Sequence, residues 1–189
     1  MRFVLNYSGP LPSNGTAQDK HTIRKALLPQ LRRHWQIDDA LNSLDRETGA
    51  DGRPLIQSIS IAKNGFTFVP VVSRHFRLAC FLEITLLRDE APGAVIQPGG
   101  DLDNRVKTLF DSLSVPANTN QIVGLAPAAG ETPFYCLLED DSLITGFEIR
   151  TERLLEPLPD RNNVRLTISA IVRPTRVDIG NMRFLGGWL

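Results

Sequence analysis

Apolar and polar positions along this 189-residue chain alternate with a period that switches between about 2 and about 3.6 residues. Phe3-Val4-Leu5-Asn6-Tyr7 predicts a short first strand. It is stopped by Ser8-Gly9-Pro10-Leu11-Pro12-Ser13-Asn14-Gly15, a dense cluster of turn formers. A helix is predicted over 19–34, with Ile23, Ala26, Leu27, Leu28 and Leu31 on its apolar side. Pro29 carries no N–H, so a kink or a restart is expected there. Residues 38–44 continue the helical region up to the turn-rich stretch 48–54.

Strand character follows. Residues 56–61 and 66–72 flank Asn64-Gly65, the strongest short hairpin signal. Residues 77–87 are long, rich in β-formers and poor in polar positions, which predicts a central strand. The loop 89–100 then leads into a segment whose apolar positions, Leu102, Val106, Leu109, Phe110 and Leu113, recur three and four apart. An amphipathic helix is predicted, with Arg105, Thr108 and Ser112 on the opposite side. Residues 115–133, rich in Pro, Ala, Asn and Gly, read as a long loop or a partly mobile segment. Residues 134–138 and 143–150 read as strands. In 164–172 Val164, Leu166, Ile168, Ala170 and Val172 share one face, with Arg165, Thr167 and Ser169 on the other. The apolar tail 181–189 is expected to dock on the body or on another subunit. The pattern predicts an α+β fold, a mixed sheet packed against at least two helices, in one domain over 1–189.

Composition adds little beyond excluding classes. Lys plus Arg number 21 and Asp plus Glu 21, so net charge points to no acidic or basic partner. Cys80 and Cys136 have no C-x-x-C spacing and apolar neighbours, which predicts buried free thiols. No apolar run reaches the roughly 18 residues of a membrane helix and the start does not read as a signal peptide, so a cytoplasmic protein with no membrane partner is expected. His21, His34 and His75 have no zinc-ligand spacing.

The chemistry concentrates in Asp101-Leu102-Asp103-Asn104-Arg105-Val106-Lys107 and in Glu139-Asp140-Asp141. On a helix starting near 102 or 103, Asp103, Lys107 and Asp111 stand one above another at i, i+4 and i+8. One explanation is structural. Carboxylates suit a helix N-terminus, with Asp103–Lys107 and Lys107–Asp111 as surface ion pairs, and an acidic triplet suits a solvated turn. The other is a site. Like charges between two strand-like segments are poorly placed unless something offsets them. Asp101, Asp103 and Asp141 offer the oxygen ligands that one or two Mg²⁺ ions prefer, with Mn²⁺ as a substitute. Lys107 would offset charge growing on a phosphoryl oxygen.

Asp101-Leu102-Asp103-Asn104-Arg105-Val106-Lys107, the helix ending Asp111-Ser112-Leu113, and Asp140-Asp141-Ser142-Leu143-Ile144 resemble the RusA family of Holliday junction resolvases. Leu11-Pro12-Ser13-Asn14 resembles the family's early Pro-Ser-Asn turn, and the order of elements agrees over most of the chain. The resemblance implies a RusA-like fold and a Mg²⁺-dependent endonuclease, homodimeric, cutting branched DNA in recombination and repair. By position, Asp101, Asp103 and Asp141 would be catalytic and metal-binding and Lys107 the catalytic lysine. Asn104, Asp111 and Asp140 would play supporting parts.

DNA would need a basic surface, and the best candidates are Lys20, Arg24, Lys25, Arg32 and Arg33, extended by Arg105. A solvated helix face is the plainer explanation for those cations. Two other functions stay open. Residues 91–100 lack any positive charge where the family often has basic residues, which motivates a non-catalytic DNA-binding module on the same scaffold. A metal-dependent nucleotide phosphohydrolase would need no extended basic track.

Overall fold

Two mixed sheets and four α-helices make an α+β fold in the computed structural model, which describes residues 1–49, 51–89 and 102–185. The larger sheet has the order β1-β7-β4-β6, built from β1 (Arg2–Pro10), β4 (Leu78–Arg88), β6 (Ile144–Arg153) and β7 (Asn163–Pro174). β7 runs antiparallel to both β1 and β4, and β6 runs parallel to β4. β4 is therefore interior, as its apolar content predicts. The register aligns Leu5, Ile168, Ile84 and Ile149 in one row across the sheet. Alternation in β7 puts Val164, Leu166, Ile168, Ala170 and Val172 in the core, while Arg165 and Thr167 stay exposed.

The smaller sheet has the order β2-β3-β5: β2 (Ile61–Lys63), β3 (Phe66–Val72) and β5 (Phe134–Leu138). Asn64 and Gly65 both have positive φ, 47° and 81°, as the tight hairpin turn between β2 and β3 requires. That turn pairs Ile61 with Phe68 and Lys63 with Phe66, and the strand begins only at Ile61. The residues before it correct the sequence reading of 56–61 as strand. They form a short helix, α3 (Leu55–Ile59), whose Ile59 is buried and whose Ser58 and Ser60 hydroxyls bond back to the Leu55 and Ile56 carbonyls. A short apolar run does not distinguish the two states.

α1 (Ala17–Ile37) opens with a capping box, the Thr16 hydroxyl accepting from the Asp19 N–H and the Asp19 carboxylate from the Thr16 N–H. It runs through Pro29 as one helix, against the expected restart, with Leu27, Leu28, Leu31 and Trp35 buried on both sides of the proline. Asp38 caps α2 (Asp39–Arg46). α4 (Leu102–Leu113) occupies the predicted span. One hydrophobic cluster joins residues of both sheets with Leu27, Leu31, Trp35, Leu109 and Leu113 of the helices.

The long segment 115–133 is ordered rather than loose. Lys63 Nζ donates to the Pro116 carbonyl at 2.6 Å, and the Asn64 amide to the Ile122 and Leu125 carbonyls. From the other side Lys25 pairs with Glu131 at 2.6 Å, and Arg32 donates to the Gly130 carbonyl. The tail docks on the body through Phe184, buried against Phe76 with ring centroids 5.4 Å apart, while 186–189 lie outside the described residues. Cys80 and Cys136 are free and buried, and burial pushes both thiols up to about 12. No helix among the described residues is long and apolar enough to cross a membrane.

The chain passes from the small sheet to the large one twice, side by side: at 73–77 between β3 and β4, and at 139–143 between β5 and β6. The Glu139 N–H donates to the Val72 carbonyl at 2.9 Å and ties the two crossings at their start. The second crossing contains the acidic triplet.

Candidate active site

α4 is held in place by what surrounds it. Its predicted polar side, Arg105, Thr108 and Ser112, is buried. The loop 11–15 covers it: the Arg105 guanidinium donates to the Leu11 carbonyl, and the Thr108 hydroxyl accepts the Gly15 N–H at 3.1 Å. At the far end Arg24, only 2% exposed, donates its Nε–H to the Ser114 carbonyl at 2.9 Å and a terminal nitrogen to the Asp111 carbonyl. It fills carbonyls that the last turn of a helix leaves unpaired. Arg24 and Arg105 are thereby corrected from DNA contacts to internal ties. A cation in a sequence pattern gives no hint that a helix end will claim it.

With that side covered, α4 turns Asp103 and Lys107 outward, both exposed. They line one cleft of about 410 Å³ together with Asp141. Leu102, Val106, Phe110, Phe147 and Ile149 form the rest of its wall. Phe147 and Ile149 reach it because they lie on the same face of β6 as the core-facing Leu82 and Ile84 of β4. The Phe110 and Phe147 rings meet edge to face, centroids 5.1 Å apart.

Each neighbouring acid is occupied elsewhere. Arg74, in the first crossing, pairs with Glu139 at 3.2 Å and with Asp140 at 3.0 Å, and its backbone N–H also donates to Glu139. Asp140 caps the short 3₁₀ turn Asp141–Leu143 by accepting from the Ser142 N–H. The Ser142 hydroxyl above all, helped by that N–H and by Arg74, holds the Asp140 carboxyl below its usual range, against the opposing effect of burial. Asp111 pairs with Lys20 of α1 at 2.7 Å, so the surface pair Lys107–Asp111 does not form. Among the described residues Asp103 accepts only the Asn104 backbone N–H, at 2.7 Å. Among the described residues the side chains of Lys107, Asp141 and Asn104 make no hydrogen bond or ion pair.

Asp101 lies outside the described residues, so the cleft as described holds two of the three carboxylates expected to bind metal. Among the described residues no group of three His, Cys, Asp or Glu side chains is arranged to hold an ion. The donors that are present, two exposed carboxylates with no cation paired to them, are the hard oxygen ligands that Mg²⁺ or Mn²⁺ takes alongside water. Of the cations proposed for DNA, Lys20, Lys25 and Arg32 are committed to local partners. Arg33 is exposed and makes no hydrogen bond or ion pair among the described residues.

Two residues that sequence reasoning missed are Arg74 and Phe147. Neither lies in a motif. Arg74 would have been found only by knowing that the two crossings run side by side. Compared with known proteins, the chain matches no family model and no curated sequence.

Proposed function

We propose that this protein is a Mg²⁺-dependent endonuclease that hydrolyses phosphodiesters in branched DNA, a RusA-like resolvase acting as a homodimer. One observation carries the reading. Asp103, Lys107 and Asp141, 34 positions apart between the last two, line a single cleft, while Glu139, Asp140 and Asp111 are drawn off into other pairs. A surface with merely abundant acids would not sort them this way. The order of elements, with a Pro-Ser-Asn turn braced against the helix that carries the acidic motif, supports the same reading.

Asp103 and Asp141, with Asp101 two positions before Asp103 in sequence, would hold the ion. When bound, the ion would supply an activated water and offset charge on the leaving oxygen. Lys107, exposed at the cleft and without a partner among the described residues, would donate to a phosphoryl oxygen as negative charge builds there. Arg74 positions Asp141 indirectly, by fixing the two residues before it. The dimer follows from the chemistry proposed, since symmetric cutting of a junction needs two sites.

The test is cleavage of labelled four-way junctions, flaps and duplexes with Mg²⁺, with Mn²⁺ and with EDTA. Asp103→Asn and Asp141→Asn are expected to abolish cutting while sparing binding, and Lys107→Ala to slow it about 100-fold or more. Absence of metal-dependent cutting on every DNA would sink the reading. Junction binding with no cutting would then favour the non-catalytic module. A nucleotide phosphohydrolase is the second reading, because Lys20, Arg24, Lys25 and Arg32 are spent on internal ties and leave little basic track. Release of phosphate from free nucleotides, with no cutting of DNA, would select it.

A further inference from the structure

The cleft contains more apolar surface than metal and phosphate chemistry calls for. Three of its lining residues are charged and five are apolar. A phosphodiester backbone is recognised by cations and N–H groups and gains nothing from Phe110, Phe147, Val106 or Ile149. Phe147 remains 47% exposed although its ring meets Phe110, with centroids 5.1 Å apart. An aromatic ring held against a second ring and open to solvent beside an exposed lysine combines a π surface with a site for one negative charge. That pairing matches a nucleotide: a base to stack and a phosphate beside it.

A protein partner fits this place less well. The apolar centres of protein interfaces are depleted in charge, whereas here Asp103, Lys107 and Asp141 share the wall with the aromatic rings. A volume of about 410 Å³ also suits one small group rather than a helix or a strand.

We propose that Phe147, backed by Phe110, is a stacking subsite for one unpaired nucleobase next to the phosphodiester held at Asp103, Lys107 and Asp141. The placement of the phosphate rests on the endonuclease reading above. The base contact does not. The subsite selects DNA in which a base beside the cut is already unstacked, as at branches, flaps and single strands, because pulling a base from intact duplex costs a few kcal/mol.

The experiment measures binding of the full chain to single-stranded oligothymidine carrying one fluorescent 2-aminopurine. Competitors are the same strand with abasic positions and a continuous duplex. The wild type is expected to prefer base-bearing to abasic strand by about ten-fold. Phe147→Trp should keep that preference, and Phe147→Leu, which still fills the space against Phe110, should remove it. Equal binding of base-bearing and abasic strands by the wild type overturns the proposal, and that comparison needs no variant. Survival of the full preference in Phe147→Leu overturns it too. So does loss of self-association in Phe147→Leu with no change in base preference, which makes the ring an interface between copies. Failure of the endonuclease reading looks different. Metal-dependent cutting would be absent while the base preference remained. Conversely, Asp103-dependent cutting that is equally fast at an abasic position would remove the stacking subsite and leave the nuclease standing.

Discussion

Arg74 reaches Asp140 from one sheet-to-sheet crossing to the other, Nη2 to Oδ1 at 3.0 Å, and grips Glu139 and the Ser142 hydroxyl with the same guanidinium. Without it three adjacent carboxylates would repel one another, and the turn that presents Asp141 would lose its brace. If the chain is the endonuclease proposed, Arg74→Ala should lower cleavage by about ten-fold or more through misplacement of Asp141, with little change in melting temperature. Arg74→Lys should restore only part, since one ammonium cannot reproduce a fork shared among three acceptors.

Arg24 supplies the opposite case, a cation whose work is internal. Arg24→Met should destabilise the fold by about 2–4 kcal/mol in urea titrations, because the carbonyls at the end of α4 lose a buried charged donor. Arg33→Ala should leave stability unchanged within about 0.5 kcal/mol. If Arg24→Met unfolds no more readily than wild type, the assignment of Arg24 as the end cap of α4 is wrong.

Gly15 touches α4 so closely that an added Cβ would lie 2.4 Å from Thr108 Cγ2. The collision is with a stiff β-branched side chain, so Gly15→Ala should cost about 1–3 kcal/mol. Thr108→Ser removes the methyl and keeps the hydroxyl that accepts the Gly15 N–H. The double variant should recover most of the loss, read as non-additivity in a two-by-two cycle.

His21 is 3% exposed between the Phe66 and Phe134 rings, and its Nδ1 has no hydrogen-bond partner among the described residues. Burial lowers its pKa from 6.5, Arg24 and Lys25 push the same way, and Glu131 opposes them. His34, against Phe3, is lowered by burial as well. The unfolded chain therefore takes up protons on these histidines at a higher pH than the folded chain. The histidines' contribution to stability should be level above 6.5 and fall as pH drops below it, until the folded-state values are passed. His21→Leu should flatten that decline in urea midpoints measured across the window, leaving the part due to His34.

Periodicity made β1, α1, α4 and β7 legible, because each buries one face of a regular element, and the Asn64-Gly65 pair marked the hairpin turn. The division into two sheets was not legible, since it depends on which strands pair after the crossings. Arg105, Thr108 and Ser112 read as a solvent side because helical spacing cannot reveal a loop from residues 11–15 lying over them. At the site, Asp103, Lys107 and Asp141 were legible as residue types in order. The separation of Asp141 from Asp140 by Arg74, and the aromatic wall at Phe147, come from tertiary neighbours that no local pattern encodes.

Both Asp103 and Asp141 belong to the single excursion the chain makes between the parallel neighbours β4 and β6, and that excursion visits the small sheet at β5 before returning. The cleft forms only where α4 comes back against β6 and the second crossing. A population with α4 parted from β6 would keep its strands, its helices and its far-ultraviolet dichroism, yet have no cleft at all. Integrity of the cleft thus reports a degree of freedom to which secondary-structure signals are blind, and the cutting proposed for it should be the last property to appear on refolding and the first to vanish on mild denaturation.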